Sequence, residues 1–378
     1  MRLDPTDLTS RVRAALDAAW TGRYAVPSPS AYPWQFLWDS CFHAVVWAAL
    51  GDDRAAVELA SVFRFQSPAG FVPHVAYDAD PAVLAPFWGR EATSSITQPP
   101  MYGHACAELA RRGVDVPGEV AERAAAGLRF LLGRPRVAGL VPACHPWETG
   151  ADHSPRWDDW CPGGFDPARW YDRKGELLAT VERSGGGDPL SNPAFVVAPA
   201  GLNALVAFNA RELAGLTRDD ALAAAGDEVA AALEEQWDAE AVTWRDAGPR
   251  AGGSGRVRAL DGLLPALVSD RAERVAAALA VALDDAAYGG RCGPAGVHRD
   301  EPAFAPRTYW RGPAWPPLTY LLWLAAGRAG DGAAAARLAA MAVTGAAASG
   351  LAEYWDPDDG TGLGAVPQSW AGLALAMA

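Results

Sequence analysis

The feature that most constrains this chain is the spacing of its apolar residues. Twelve segments repeat them at the three-to-four-residue period of an α-helix: 8–20, 35–50, 52–65, 94–112, 118–132, 194–216, 218–237, 260–269, 270–283, 313–329, 331–348 and 368–378. Start and stop signals frame several of them, such as Asp7 before the first, Gly51 after the second and Pro68 beyond the third. Few stretches alternate with a period of two, so little sheet is predicted and the class is all-α. Helices joined by short loops pack as antiparallel neighbours. Twelve make six hairpins, and a closed (α/α)6 toroid of six inner and six outer helices accommodates them. That reading makes residues 1–378 a single domain. It rests on the helix count, because the Ala-rich helices carry no strict repeat. An open helical solenoid is the alternative, but the apolar C-terminal segment lacks the polar outer face of a capping repeat. Between 134 and 190 the periodicity lapses into a long irregular loop insertion rich in Trp, Pro, Gly and Asp.

Charge narrows the partners. The net charge is 32 − 45 = −13, with a pI near 4.9. A chain this acidic is repelled by phosphate backbones and anionic lipid surfaces, which argues against nucleic acid and membrane partners. No apolar run approaches the roughly 18 residues of a membrane span, and 1–20 lacks a signal-peptide core. The five cysteines are scattered without a CxxC pair, so neither a zinc ribbon nor a disulfide framework is expected. The expected compartment is a reducing cytoplasm. Nothing in these features fixes a monomer or a homo-oligomer.

Sixteen tryptophans are a high count, and their positions matter more than their number. Nine of them fall in the inter-helical segments 31–44, 145–160, 308–317 and 351–370, all but 308–317 also carrying acids; two further segments, 70–75 and 94–105, add His, Gln and Tyr. Six such segments at helix ends suit loops gathered around one pocket. Indole and phenol rings stack on the apolar faces of sugars, while carboxylates and amides bind hydroxyls. Tyr32, Trp34, Tyr309, Trp355 and Trp370 are candidates for those contacts, and His74, in GFVPHV, is within the same set. The expected partner is a small carbohydrate.

Glycoside hydrolysis needs one carboxyl to protonate the leaving oxygen and another to activate water or attack carbon. Asp152 sits in the irregular insertion near Trp147 and Trp157, where desolvation would raise its pKa. Glu353 follows a helix end at Gly350, flanked by Tyr354 and Trp355. Asp39, Glu148, Asp158, Asp159 and Asp356 compete with them, and local sequence does not choose among these acids.

The segments FLWDSCFHA, ITQPPM, HPWETGADHSP, YWRGPAWP and EYWDPDDGTGLGA occur in an order that resembles glycoside hydrolase family 63 and the related mannosylglycerate and glucosylglycerate hydrolases, over about 32–370. The resemblance implies an (α/α)6 toroid and inverting hydrolysis of a small α-linked glycoside. It implies that Asp152 is the general acid and Glu353 the general base. It also implies that Trp38, Asp39, Gln98, Trp147, Arg311 and Trp315 line the sugar subsite. The chain departs from the family pattern at Thr149, Ala151 and His153 around the acid, at Pro317, and at Gln368. An acidic aglycone such as glycerate would need a cation, for which Arg90, Arg156 and Arg311 are the candidates.

Other signals point to less. The six histidines show no HxxxH or HExxH spacing, so no metal is expected, and no cofactor motif is present. The DPDDG run at 356–360 reads as a turn, and SGGGD at 184–188 as a loop. Two alternatives use the same toroid: a sugar epimerase working through paired histidines, and a non-catalytic carbohydrate-binding protein.

Overall fold

A computed structural model of the chain describes residues 5–161, 163–249, 253 and 256–377. Thirteen α-helical segments lie among the described residues: α1 (Pro5–Ala19), α2 (Leu37–Ala49), α3 (Arg54–Ser61), α4 (Ala85–Trp88), α5 (Tyr102–Arg111), α6 (Gly118–Leu132), α7 (Pro167–Ala179), α8 (Ala200–Thr217), α9 (Asp220–Glu234), α10 (Ala272–Leu283), α11 (Pro316–Arg328), α12 (Gly332–Ala348) and α13 (Leu373–Ala376). A 3-10 helix over Leu260–Leu267 and another over Ser369–Gly372 complete the set that builds the ring.

Burial separates these elements into two layers. In α2 every residue from Leu37 to Ala48 is buried, and all eight residues of the Leu260–Leu267 helix are buried. A helix buried all round belongs to an interior. By contrast α9 buries Leu222, Gly226, Val229, Ala230 and Leu233, one stripe at helical spacing, and turns its other face outward. The interior elements pack in a closed circuit: α2 on α5, α5 on α8, α8 on the Leu260–Leu267 helix, that helix on α11, α11 on α13, and α13 back on α2. Against these lie α1, α3, α6, α9, α10 and α12. The result is the six-plus-six toroid expected from the helix count. One apolar cluster runs through it from Leu8 to Met377.

The irregular insertion is the main correction to the sequence-based expectation. It holds the thirteen-residue α7, with 3-10 turns at Pro146–Thr149 and Pro155–Trp160. The buried face of α7 is Trp170, Lys174 and Leu177; a lysine in the middle of the apolar stripe hides its period. Several boundaries move, among them the expected start at 194, which becomes Ala200 in α8. The segment predicted as helix from 94 stays non-helical through Pro99 and Pro100, and α5 starts at Tyr102, because Pro disfavours helix in the residue before it. Residues 260–267 adopt the tighter 3-10 form around Pro265. Sheet is confined to four two-stranded antiparallel pairs of two or three residues each among the described residues.

Candidate active site

A cavity of about 290 Å³ opens at the N-terminal ends of four of the six inner elements. Trp38 and Asp39 come from the first turn of α2, Gln98 from the segment entering α5, Tyr309 and Trp310 from the segment entering α11, and Gln368 and Trp370 from the start of the last inner element. The volume sits at the lower end of the roughly 300–1,000 Å³ typical of small-ligand sites.

Asp152 and Glu353 both line this cavity. They are separated by 353 − 152 = 201 positions. The backbone around Asp152 is pinned by two buried indoles: Trp157 Nε1 donates to the Ala151 carbonyl at 2.7 Å and Trp170 Nε1 to the Asp152 carbonyl at 2.8 Å. Gly150, two residues earlier, has φ +73°, and a Cβ there would lie 2.5 Å from the Trp38 ring. Only glycine allows that turn and that approach together. Desolvation raises the Asp152 pKa to about 7, against the pull of Lys174 and the Tyr309 hydroxyl.

Glu353 is 3% exposed and precedes the short strand Tyr354–Trp355, which pairs with Gly362–Leu363. Its carboxylate accepts from the Tyr32 hydroxyl at 3.2 Å and from the Ala365 N–H at 3.0 Å, and its carbonyl accepts from Trp370 Nε1 at 2.8 Å. Desolvation raises its pKa to about 7, while those two donors to the carboxylate favour the ionised form. The third carboxyl in the wall is Asp39. Burial raises it to about 6; its Oδ1 accepts from Gln368 Nε2 at 3.2 Å.

The rest of the wall is aromatic and falls into two groups. Trp38 faces Trp310 at 6.5 Å between centroids and meets Trp370 edge-on. Trp147 packs with His74, Phe87, Trp88 and Tyr171. Tyr32 and Trp34 complete the expected residues that line the cavity. His74 donates to or accepts from Ser94 Oγ at 2.8 Å, and burial lowers its pKa to about 3, so it stays neutral. It is the one histidine in the wall among the described residues, which leaves the paired-histidine epimerase without its pair.

Three residues expected at the sugar lie elsewhere. Trp315 is fully buried and stacks behind Trp310 at 3.7 Å and 6°. Trp310 takes the wall position through a left-handed backbone, φ 58°. Trp355 points into the core, where its Nε1 donates to the Cys292 carbonyl. Arg311 forms a two-pronged ion pair with Asp158 at 2.8 Å, a contact that sequence proximity does not suggest. The other two arginines proposed for an acidic aglycone are also engaged. Arg156 pairs with Asp246 and Asp261, and Arg90 donates to the Gly187 carbonyl. The competing acids resolve in the same way. Glu148 is locked by buried Arg134 and by the N–H groups of Thr97 and Cys144. Asp356 pairs with Arg307 and caps its turn, and Asp159 does not line the cavity. Sequence reasoning missed Phe36, Phe87, Trp88, Tyr171, Trp310 and Gln368 as lining residues. Phe36 stands two positions from both Trp34 and Trp38, and Trp310 adjoins Tyr309 and Arg311, residues it did single out.

No group of three or more His, Cys, Asp or Glu among the described residues is arranged to hold a metal. No helix among them is long and apolar enough to cross a membrane. A carboxyl pair in an indole-walled cavity, set at one end of a six-plus-six helical ring, has the architecture of a toroidal glycoside hydrolase site. Residues 32–371 match the family described as "Mannosylglycerate hydrolase MGH1-like glycoside hydrolase domain", and the chain belongs to that family. It is 31% identical to a mannosylglycerate hydrolase of Thermus thermophilus, covering 94% of this chain and 96% of that one. It is 27% identical to the glucosylglycerate hydrolase of Mycolicibacterium hassiacum, over 98% of this chain and 97% of the relative. A crystal structure of a family 63 mannosylglycerate hydrolase from Thermus thermophilus, in complex with Tris and D-glycerate, superposes with a TM-score of 0.86 at 29% identity, covering 98% and 99% of the two chains. The chain is thus a glycoside hydrolase.

Proposed function

We propose that this enzyme hydrolyses a small α-linked hexosyl glycoside with an acidic aglycone, a hexosylglycerate, with inversion at the anomeric carbon. Asp152 is the general acid and Glu353 the general base. The observation that carries the reading is that two carboxyls, Asp152 and Glu353, line one indole-walled cavity. Desolvation raises both to about 7, which suits a pair that gives and takes a proton near neutrality. Glu353 accepts from the Tyr32 hydroxyl and the Ala365 N–H, two donors that suit a carboxylate base. The sugar stacks among Trp38, Trp310 and Trp370, with Asp39, Gln98 and Gln368 available to its hydroxyls. Asp152 protonates the glycosidic oxygen while Glu353 takes a proton from water attacking the opposite ring face. The substrate class follows the relatives, which hydrolyse mannosylglycerate and glucosylglycerate. The continuous apolar cluster from Leu8 to Met377 supports one catalytic domain, and five buried, unpaired cysteines support work in the cytoplasm.

The test is a panel of α-glucosylglycerate, α-mannosylglycerate, trehalose and kojibiose followed by anomer-resolved NMR. The β-hexose must appear first, before mutarotation. First appearance of the α-anomer assigns a retaining route, and release from no α-glycoside removes the proposal.

A further inference from the structure

The chain has 31 arginines and a single lysine, Lys174, which together make its 32 basic residues. That lysine is 2% exposed, on the inner stripe of α7. Its ammonium lies 4.7 Å from the centroid of Trp147 and 6.0 Å from those of Trp170 and Tyr171. Trp147 and Tyr171 line the cavity. No carboxylate among the described residues lies within ion-pair distance of it, although Asp152 is near enough to act on it electrostatically. A buried ammonium without an ion partner is strongly unfavourable, because its lost hydration is not replaced by an opposite charge. Ring faces recover only part of that loss. The burden persists where an anionic group arrives to relieve it.

Position says which part of a substrate that group belongs to. The residue that protonates the glycosidic oxygen stands beside the leaving group, so the charge next to Asp152 is on the aglycone side. The sugar-side rings Trp38, Trp310 and Trp370 are a separate aromatic group. The wall itself carries three carboxyls, Asp39, Asp152 and Glu353, and no arginine or lysine among the described residues. An anion entering it is repelled unless a cation stands close behind. Arg90, Arg156 and Arg311 are occupied, as described above. Lys174 is a compact charge on a flexible stem, which suits reaching past the Trp147 edge better than a rigid guanidinium fork would.

We propose that Lys174 is the specificity-determining cation of this enzyme, its ammonium pairing with the carboxylate of an acidic aglycone at the edge of Trp147 and Tyr171. The inference rests on the proposed hydrolysis of hexosylglycerates and adds the residue that selects the charge. The experiment compares wild type, Lys174→Met and Lys174→Arg on α-hexosylglycerate and on the neutral α-hexosylglycerol of equal size. The ratio of kcat/KM for the anionic over the neutral substrate should fall roughly 10- to 100-fold in Lys174→Met, the range of a charge-assisted hydrogen bond, and recover partly in Lys174→Arg. A ratio that does not change, whether both activities persist or both fall together, overturns the proposal. Wild-type cleavage of neither glycoside would instead fail the proposed hydrolysis of hexosylglycerates. A second measurement does not depend on the variants folding. With one lysine, ε-13C-lysine labelling gives a single side-chain resonance; D-glycerate should shift it and glycerol should not. Equal responses to both, or to neither, also overturn the proposal.

Discussion

At the scale of the residue, the proposed chemistry depends on two carboxyls that share a cavity. Asp152→Asn and Glu353→Gln should each lower kcat by roughly 10²- to 10⁴-fold while product hexose still binds, measured by steady-state kinetics and calorimetry. Retention of wild-type turnover in either variant would exclude that residue from the reaction. Because both groups are raised to about 7, kcat/KM against pH should be bell-shaped with its maximum near neutrality, and its two apparent values belong to the pair. The same shifts predict a stability effect with a definite sign. Folded, the carboxyls hold protons up to about 7; unfolded, they release them near their ordinary values of 3.8 and 4.5. At these two sites the folded state therefore binds more protons between those limits, and their contribution to stability declines as pH rises from about 4 through 7. Asp152→Asn, which carries no charge, should gain in Tm on wild type by about 2 °C between pH 5 and pH 8, read by calorimetry. A gap that stays constant with pH would mean the carboxyl is not raised. Much of this residue scale was legible beforehand. Asp39, Gln98, Trp147, Asp152, Glu353 and Trp370 line the cavity where the motifs suggested. The choice of Trp310 over Trp315 was not legible, because a left-handed φ at Trp310 decides it and no residue type announces that conformation in a tryptophan.

Among elements, the loop that presents the acid shows how loosely patterned sequence can still be rigid. Trp157 and Trp170 hold the carbonyls of Ala151 and Asp152, and Gly150 lets the loop pass against Trp38. Beneath it, Glu148 and Arg134 form a buried pair with both side chains fully enclosed. Periodicity analysis finds nothing here, since the loop is organised by side-chain-to-backbone bonds rather than by a repeating face. The helix α7 escapes for a different reason: its buried stripe has Lys174 where an apolar residue would complete the pattern. Arg134→Met should leave the Glu148 charge buried without its partner and cost about 3–5 kcal/mol in denaturant unfolding. Trp170→Phe removes the bond to the Asp152 carbonyl together with part of a buried ring. It should cost about 1–3 kcal/mol of stability, with a drop in kcat larger than the drop in folded fraction at the assay temperature. A kcat that merely follows the folded fraction would show that the indole supports the fold and not the placement of the acid.

For the whole molecule, the seam that closes the ring also carries residues that bond to the site. The inner circuit ends where α13 returns to α2, and the segment just before it is stitched to the N-terminal loop: the Ser369 N–H donates to the Pro27 carbonyl at 3.0 Å. That same segment carries Gln368, which bonds Asp39, and Trp370, which holds the Glu353 carbonyl. The helix count foretold a toroid, but the seam depends on contacts between residues more than three hundred positions apart, such as Gln368 with Asp39, and sequence periodicity carries no information at that range. Gly372 lies in the seam; a Cβ there would meet Val12 Cγ1 at 2.7 Å and Val46 Cγ1 at 2.8 Å. Gly372→Ala overpacks a buried junction and should cost about 1–3 kcal/mol. If the seam positions the base, kcat must fall as well, even at a temperature where the variant is fully folded by near-UV circular dichroism. The loss should be shared by anionic and neutral glycosides alike, since Glu353 acts on both. A variant with a lowered Tm and unchanged kcat would separate closure from catalysis and leave the placement of Glu353 to its hairpin with Gly362–Leu363 alone.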